Sequence, residues 1–316
     1  MSIHEISFPS ANGRDTVKGW IYTPIGQPRG VVQLMHGFGE HSRRYLHMID
    51  KFLEAGFVVS ADDHIGHGKT GFDSGTLGDP GTSGKDGWRV YLQDERSLHD
   101  LTVKDFPALP YFVFGHSWGS MLARGYAALY GGDLRGLALC GVVSQMKGCE
   151  LLLRDPALMG KMEAQVLSGR GGDKGGSFMA GIFGTLTERI PDAASPNDWI
   201  ANDPRIVADH AGDPFNCFDV TVQLLYDFVR LYAFIETPAW AAQVPAGLPA
   251  YLISGDCDPC GNYGEGLYHT ANLLAEAGHP VQVHAYSGYR HEIHNQRDIR
   301  DGVEDGIVAF LSGLSN

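Results

Sequence analysis

The chain has 316 residues, 43% hydrophobic and 19% charged, which suits a sizeable core in one large domain or a domain with an insertion. Its formal net charge of -13 repels phosphate backbones and argues against a nucleic-acid partner. No apolar run approaches the roughly 20 residues that span a bilayer. The N-terminus lacks the basic start and apolar stretch of a secretion signal, and the five scattered cysteines fit a reduced, cytoplasmic setting.

In chain order, "EISFP" and "VKGWIYTP" read as an antiparallel hairpin at a sheet edge. "VVQLM" (31–35) is a near-continuous apolar run, the pattern of a strand covered on both faces. "RYLHMIDKFLEAG" reads as a helix, with Gly56 at the C-terminal cap position. "FVVSA" (57–61) is the next strand, and "DDHIGHGKT" after it crowds Asp62, Asp63, His64 and His67 together. Gly66 and Gly68 make that stretch a tight turn rather than a metal site. "YFVFG" (111–115), "LRGLALC" (134–140), "AYLISG" (250–255) and "VQVHAY" (281–286) complete the strands. Their alternation with helical segments predicts an α/β fold, a mostly parallel sheet flanked by helices.

The rhythm breaks over residues 144–245, which divides the chain into a core at 1–143, a helical cap insertion at 144–245 and a second core part at 246–316. Within the break, "SGRGGDKGGSF" is glycine-rich, is expected to be mobile, and lacks the GK[ST] ending of a phosphate loop. "VTVQLLYDFVRLYAFIE" is apolar around nearly its whole circumference. Such a helix is buried on both sides, or turns one side toward a lipid-binding cavity. On the second reading Leu225, Phe228 and Tyr232 wall the pocket.

Gly115-His116-Ser117-Trp118-Gly119 carries the chemistry. It matches G-x-S-x-G directly after a predicted strand and before the helix-like "SMLARGYAALYGG". This is the nucleophile elbow of the α/β-hydrolase pattern, in which a strained turn exposes a serine hydroxyl at a helix N-terminus. A serine nucleophile needs a base and the base an orienter, in the chain order Ser, acid, His. "YLISGDCDP" offers Asp256 and Asp258 at a strand end, and "YSGYRHEIHNQ" offers His291 and His294 after the next strand. Cys257 and Cys260 form a lone CxxC without a second pair or a histidine array, so neither a redox nor a metal role is assigned.

With "HGFGEHSRRY", "DDHIGHGKT", "GHSWGS", "SGDCDP" and "YSGYRHEIHNQ" in that order, the chain resembles the monoacylglycerol lipase and lysophospholipase branch of the α/β-hydrolases. The resemblance implies an α/β-hydrolase fold and selects Ser117, Asp258 and His291 as the triad. It leaves Asp256 to cap a turn and His294 to pack one helical turn further on. It implies that the backbone N–H groups of Phe38 and Trp118 form the oxyanion hole, their side chains being free to shape the acyl pocket. Both are bulkier than the small residue or methionine often found there. His36, Glu40, His41, Arg44 and Tyr45 become loop scaffolding.

The implied activity is hydrolysis of carboxylic esters of lipid-like monoesters through an acyl-enzyme, with no metal or cofactor. The partner is a small-molecule or monoacyl lipid ester. Without a basic amphipathic helix, membrane contact is at most transient. A short-chain carboxylesterase, a lysophospholipase and an acyltransferase are the enzymatic alternatives, and a non-catalytic ligand-binding protein on the same scaffold is the alternative of another class. A dehalogenase or epoxide hydrolase would carry Asp in place of Ser117.

Overall fold

A computed structural model describes residues 1–81, 84–216 and 218–315. The apolar runs pair into one eight-stranded sheet: β1 (Ser2–Pro9), β2 (Thr16–Thr23), β3 (Gly30–Met35), β4 (Phe57–Asp63), β5 (Tyr111–His116), β6 (Leu134–Cys140), β7 (Ala250–Gly255) and β8 (Val281–Tyr286). The order is β1-β2-β4-β3-β5-β6-β7-β8. β1 pairs antiparallel with β2, and β2 with β4, so the predicted hairpin forms one edge. All remaining pairings are parallel. Strands β3, β4, β5 and β7 are buried along their whole length, as continuous apolar runs require.

Helices cover both faces. On one lie α1 (Leu46–Glu54), after a short 3-10 helix at Ser42–Tyr45, and α12 (Arg300–Gly313); with Val32, Phe112 and Ile253 they enclose one core. Gly56 closes α1 with φ 86, as its cap position predicts. The other face takes α3 (Trp88–Asp105), α4 (Trp118–Tyr130) and α11 (Glu265–Glu276) over Val31, Val113 and Leu139. A short α2 (Gly68–Ser74) follows β4.

Between β6 and β7 the chain is helical: α5 (Lys147–Leu153), α6 (Pro156–Gln165), α7 (Gly176–Phe183), α8 (Pro204–Gly212), α9 (Val222–Ile235) and α10 (Pro238–Ala241). α9 packs along α4 and is buried on nearly every side, so its apolar residues join the main core. The glycine-rich stretch expected to be mobile is instead stitched to the start of α9. Val222 N–H donates to the Asp173 carbonyl and Gln223 N–H to that of Gly171, both at 2.8 Å. Among the described residues, no helix is long and apolar enough to cross a membrane.

Candidate active site

Register brings the reacting loops together. Met35 pairs with Gly115 and His116 with Cys140, so β3, β5 and β6 end at one edge of the sheet. In open parallel sheets, ligands bind outside the carboxyl ends of the strands. Ser117 lies there, between β5 and α4, with φ 56 and ψ -122. A side chain rarely adopts that conformation, and holding it costs of order 1–3 kcal/mol. The flanking glycines allow the crossing. A Cβ on Gly115 would clash with the Gly119 carbonyl oxygen, and one on Gly119 with the Met35 carbonyl oxygen. Ser117 N–H donates to the Cys140 carbonyl at 3.0 Å, which ties the elbow to β6.

The two acid candidates have separate fates. Asp258 is fully buried; its Oδ2 lies 2.7 Å from His291 Nδ1, and its Oδ1 accepts from Cys260 N–H at 2.8 Å. Asp256 accepts from Gly288 N–H at 2.6 Å and so caps the turn that leads to His291. His291 is buried, and its Nε2 has no hydrogen-bond partner among the described residues. Such bonds are often long before substrate binds. Burial disfavours the imidazolium, but the Asp258 carboxylate outweighs it and holds His291 above its ordinary value.

His294 occupies an irregular turn ahead of α12, not the expected helix. Its ring stacks on Tyr45 at 5.0 Å, and burial drives its pKa well down. Among the described residues, no carboxylate is bonded to its ring.

The oxyanion loop follows β3. A Cβ on Gly37 would stand 3.1 Å from the Ser117 Cβ, so this loop passes directly over the elbow. Phe38 N–H has no acceptor among the described residues, and Trp118 N–H is the first donor of α4, which a helix leaves unpaired. Glu40 accepts from Gly37 N–H and Tyr45 O–H, both at 2.6 Å. Arg44 then bridges Glu40 to Glu292, the residue after His291, at 2.7 and 2.9 Å on the Glu292 side. The scaffolding role expected of Glu40, Arg44 and Tyr45 thus has a partner that spacing did not reveal.

In the neighbouring loop, His67 Nδ1 donates to the Ile65 carbonyl at 3.0 Å, while its Nε2 has no partner among the described residues. His64 Nδ1 faces Asp62 at 3.2 Å and Glu95 at 3.1 Å, while Nε2 faces the His36 carbonyl at 3.2 Å. Burial opposes its charge, yet the two carboxylates push it up to about 10. Asp62, His64 and Glu95 thus form one buried cluster of ionisable groups. Asp63 accepts from Ser42 N–H at 2.9 Å and Lys69 N–H at 2.6 Å, locking the turn. His41 reaches Asp213 at 2.9 Å. Cys140, Cys149, Cys257 and Cys260 are free thiols.

A cavity of about 440 Å³ opens on Ser117, within the size range of small-molecule sites. Phe38, Val143, Met146, Met179, Phe183 and Phe228 are part of its apolar wall. Of the five side chains expected to wall the substrate pocket, Phe38 and Phe228 line this cavity. Trp118, Leu225 and Tyr232 do not. The Trp118 ring turns beneath the loop toward Tyr91 (4.9 Å) and His67 (5.0 Å). Leu225 packs against Gly175. The Tyr232 hydroxyl accepts from Met146 N–H at 3.0 Å and donates to Glu150 at 2.8 Å. A helix buried all round has several inward faces, and its circumference alone does not say which meets the ligand. Met179 and Phe183 were missed; the charge-free "SFMAGIF" of α7 was their only signal.

Sheet order, strained elbow and overlying helices define an α/β-hydrolase. A family model described as serine aminopeptidase, S33, matches residues 26–298, and the chain belongs to that family. It is 29% identical over 300 residues, 92% of each chain, to a monoacylglycerol lipase from Mycolicibacterium smegmatis. Among solved structures, it is similar to a highly thermostable carboxyl esterase from Bacillus coagulans in complex with glycerol, with 50% identity and a TM-score of 0.94 over the whole of both chains. It is also similar to a lipase in an open form, with 40% identity and a TM-score of 0.93, again over both full chains.

Proposed function

We propose that the chain is a serine carboxylic ester hydrolase that cleaves a lipid-like monoester, such as a monoacylglycerol, through an acyl-enzyme on Ser117. The observation that carries this reading is the apolar cavity ending at a strained serine between strand and helix. His291 takes the Ser117 proton and later passes it to the leaving alcohol, while Asp258 holds the imidazole with Nε2 toward the serine. Phe38 and Trp118 N–H groups receive the oxyanion; removing one such donor costs about 3 to 4 kcal/mol. Residues 144–245 act as the cap that closes the cavity. Burial contributes about 0.8 kcal/mol per CH₂, so a ten-carbon acyl chain gains about 8 kcal/mol before the cost of association. That margin favours a long acyl group over acetate. The lipase and esterase relatives support the same class.

Turnover of p-nitrophenyl esters of increasing acyl length, beside monoacylglycerols and lysophospholipids, tests the reading. The value of kcat/KM should climb from acetate toward decanoate, and monoacylglycerol should be cleaved. A series that falls with length would mean a short-chain carboxylesterase.

A further inference from the structure

The cavity has two chemical ends. The rings of Phe38, Phe183 and Phe228 pack on one another with centroids 5.2, 5.4 and 5.4 Å apart, and with Met146 and Met179 they form the apolar end. Asn197, Trp199 and His210 bring polar groups to the wall. This second end adjoins the base. The Trp199 ring lies 5.1 Å from that of His291, and His210 Nδ1 stands 3.7 Å from Oε1 of Glu292, the next residue. In acyl transfer the base hands its proton to the departing alcohol, so the alcohol half of the ester lies beside His291.

Asn216 and Glu292 flank one edge of the His210 ring. Asn216 Nδ2 donates to the His210 carbonyl at 3.2 Å, which fixes the orientation of the amide. The same nitrogen stands 3.5 Å from His210 Nδ1, the ring nitrogen that also faces Glu292, which leaves Nε2 as the ring nitrogen free to meet a ligand. Burial lowers the pKa of the ring, which keeps it neutral near neutral pH. Nε2 has no hydrogen-bond partner among the described residues, and His210 lines the cavity. No lysine or arginine is among the described residues of the wall, so that end suits a hydroxyl better than a phosphate.

We infer that His210 is a specificity-determining residue that hydrogen-bonds through Nε2 with a free hydroxyl on the alcohol half of the substrate, so that the site prefers esters of polyols to esters of simple alcohols. The inference rests on the ester-hydrolase reading above. A polar group built to meet a substrate hydroxyl discriminates against the analogue that lacks it, because it is then left unpaired.

The test compares kcat/KM for 1-monodecanoylglycerol and propyl decanoate, which share the acyl group. Wild type should favour the glycerol ester by about fivefold or more, the scale of one net hydrogen bond. In His210→Leu the ratio should fall toward one, and His210→Gln, which keeps a hydrogen-bonding group, should regain part of it. Absence of preference in wild type overturns the inference without any variant having to fold. So does an unchanged ratio in His210→Leu. Ester cleavage that survives Ser117→Ala would instead overturn the hydrolase reading, whatever the ratio.

Discussion

Two carboxylates two residues apart have opposite surroundings, and this separates their roles. Asp258 is sealed in and bonded to His291, whereas Asp256 holds the Gly288 turn. Asp258→Asn should lower kcat by about ten-thousand-fold, the scale seen when a triad acid can no longer orient its imidazole. Asp256→Asn should stay within about tenfold, since it removes one turn bond. Burst kinetics with a p-nitrophenyl ester measure both; equal losses would reject the assignment. The base must be neutral to act, so activity rises with pH through the pKa of His291. Asp258 raises that pKa, which places the acid limb of kcat/KM above the ordinary histidine value. In Asp258→Asn the limb should move to lower pH. A limb that stays in place would mean that another group titrates.

At the scale of elements, the elbow and the loops around it depend on close backbone approach and buried charge. Gly119→Ala should cost about 3 kcal/mol in urea unfolding and abolish turnover, because the new Cβ meets the end of β3. Retained stability would mean that strand and helix are less tightly crossed. Arg44 joins the oxyanion loop to the base loop. Burial alone would raise the Glu292 carboxyl, but Arg44 brings it from 4.5 down to about 2. A depressed folded value gives stability that is present above the unfolded carboxyl's pKa and lost as pH falls toward 2. Glu292→Gln should therefore be less stable near neutral pH, yet lose less on acidification across that window. Urea midpoints at about pH 7 and about pH 3 compare the two, and parallel acid slopes would contradict the pairing. Arg44→Met strands two buried carboxylates and should cost about 3 to 5 kcal/mol.

Across the whole molecule, what was legible in sequence follows how local the physics is. Every expected strand is present, because a run such as "YFVFG" is itself the pattern of a doubly covered strand. The elbow was legible because Gly115 and Gly119 answer to atoms only a few residues away or on the adjoining strand. Asp258 could not be separated from Asp256 by pattern alone; resemblance chose between them. The pocket was least legible. Leu225 and Tyr232 share an apolar helix with Phe228, but only Phe228 faces the cavity, and Met179, Phe183 and His210 come from segments that have no periodic cue. These positions depend on how the residues between β6 and β7 fold back over the sheet, which no short window contains. The most direct measurement of the central claim is mass mapping after treatment with a fluorophosphonate. The account expects one adduct, on Ser117, that requires His291 and is absent from Ser117→Ala. A folded wild-type protein that stays unlabelled, or carries the adduct on another residue, would contradict it.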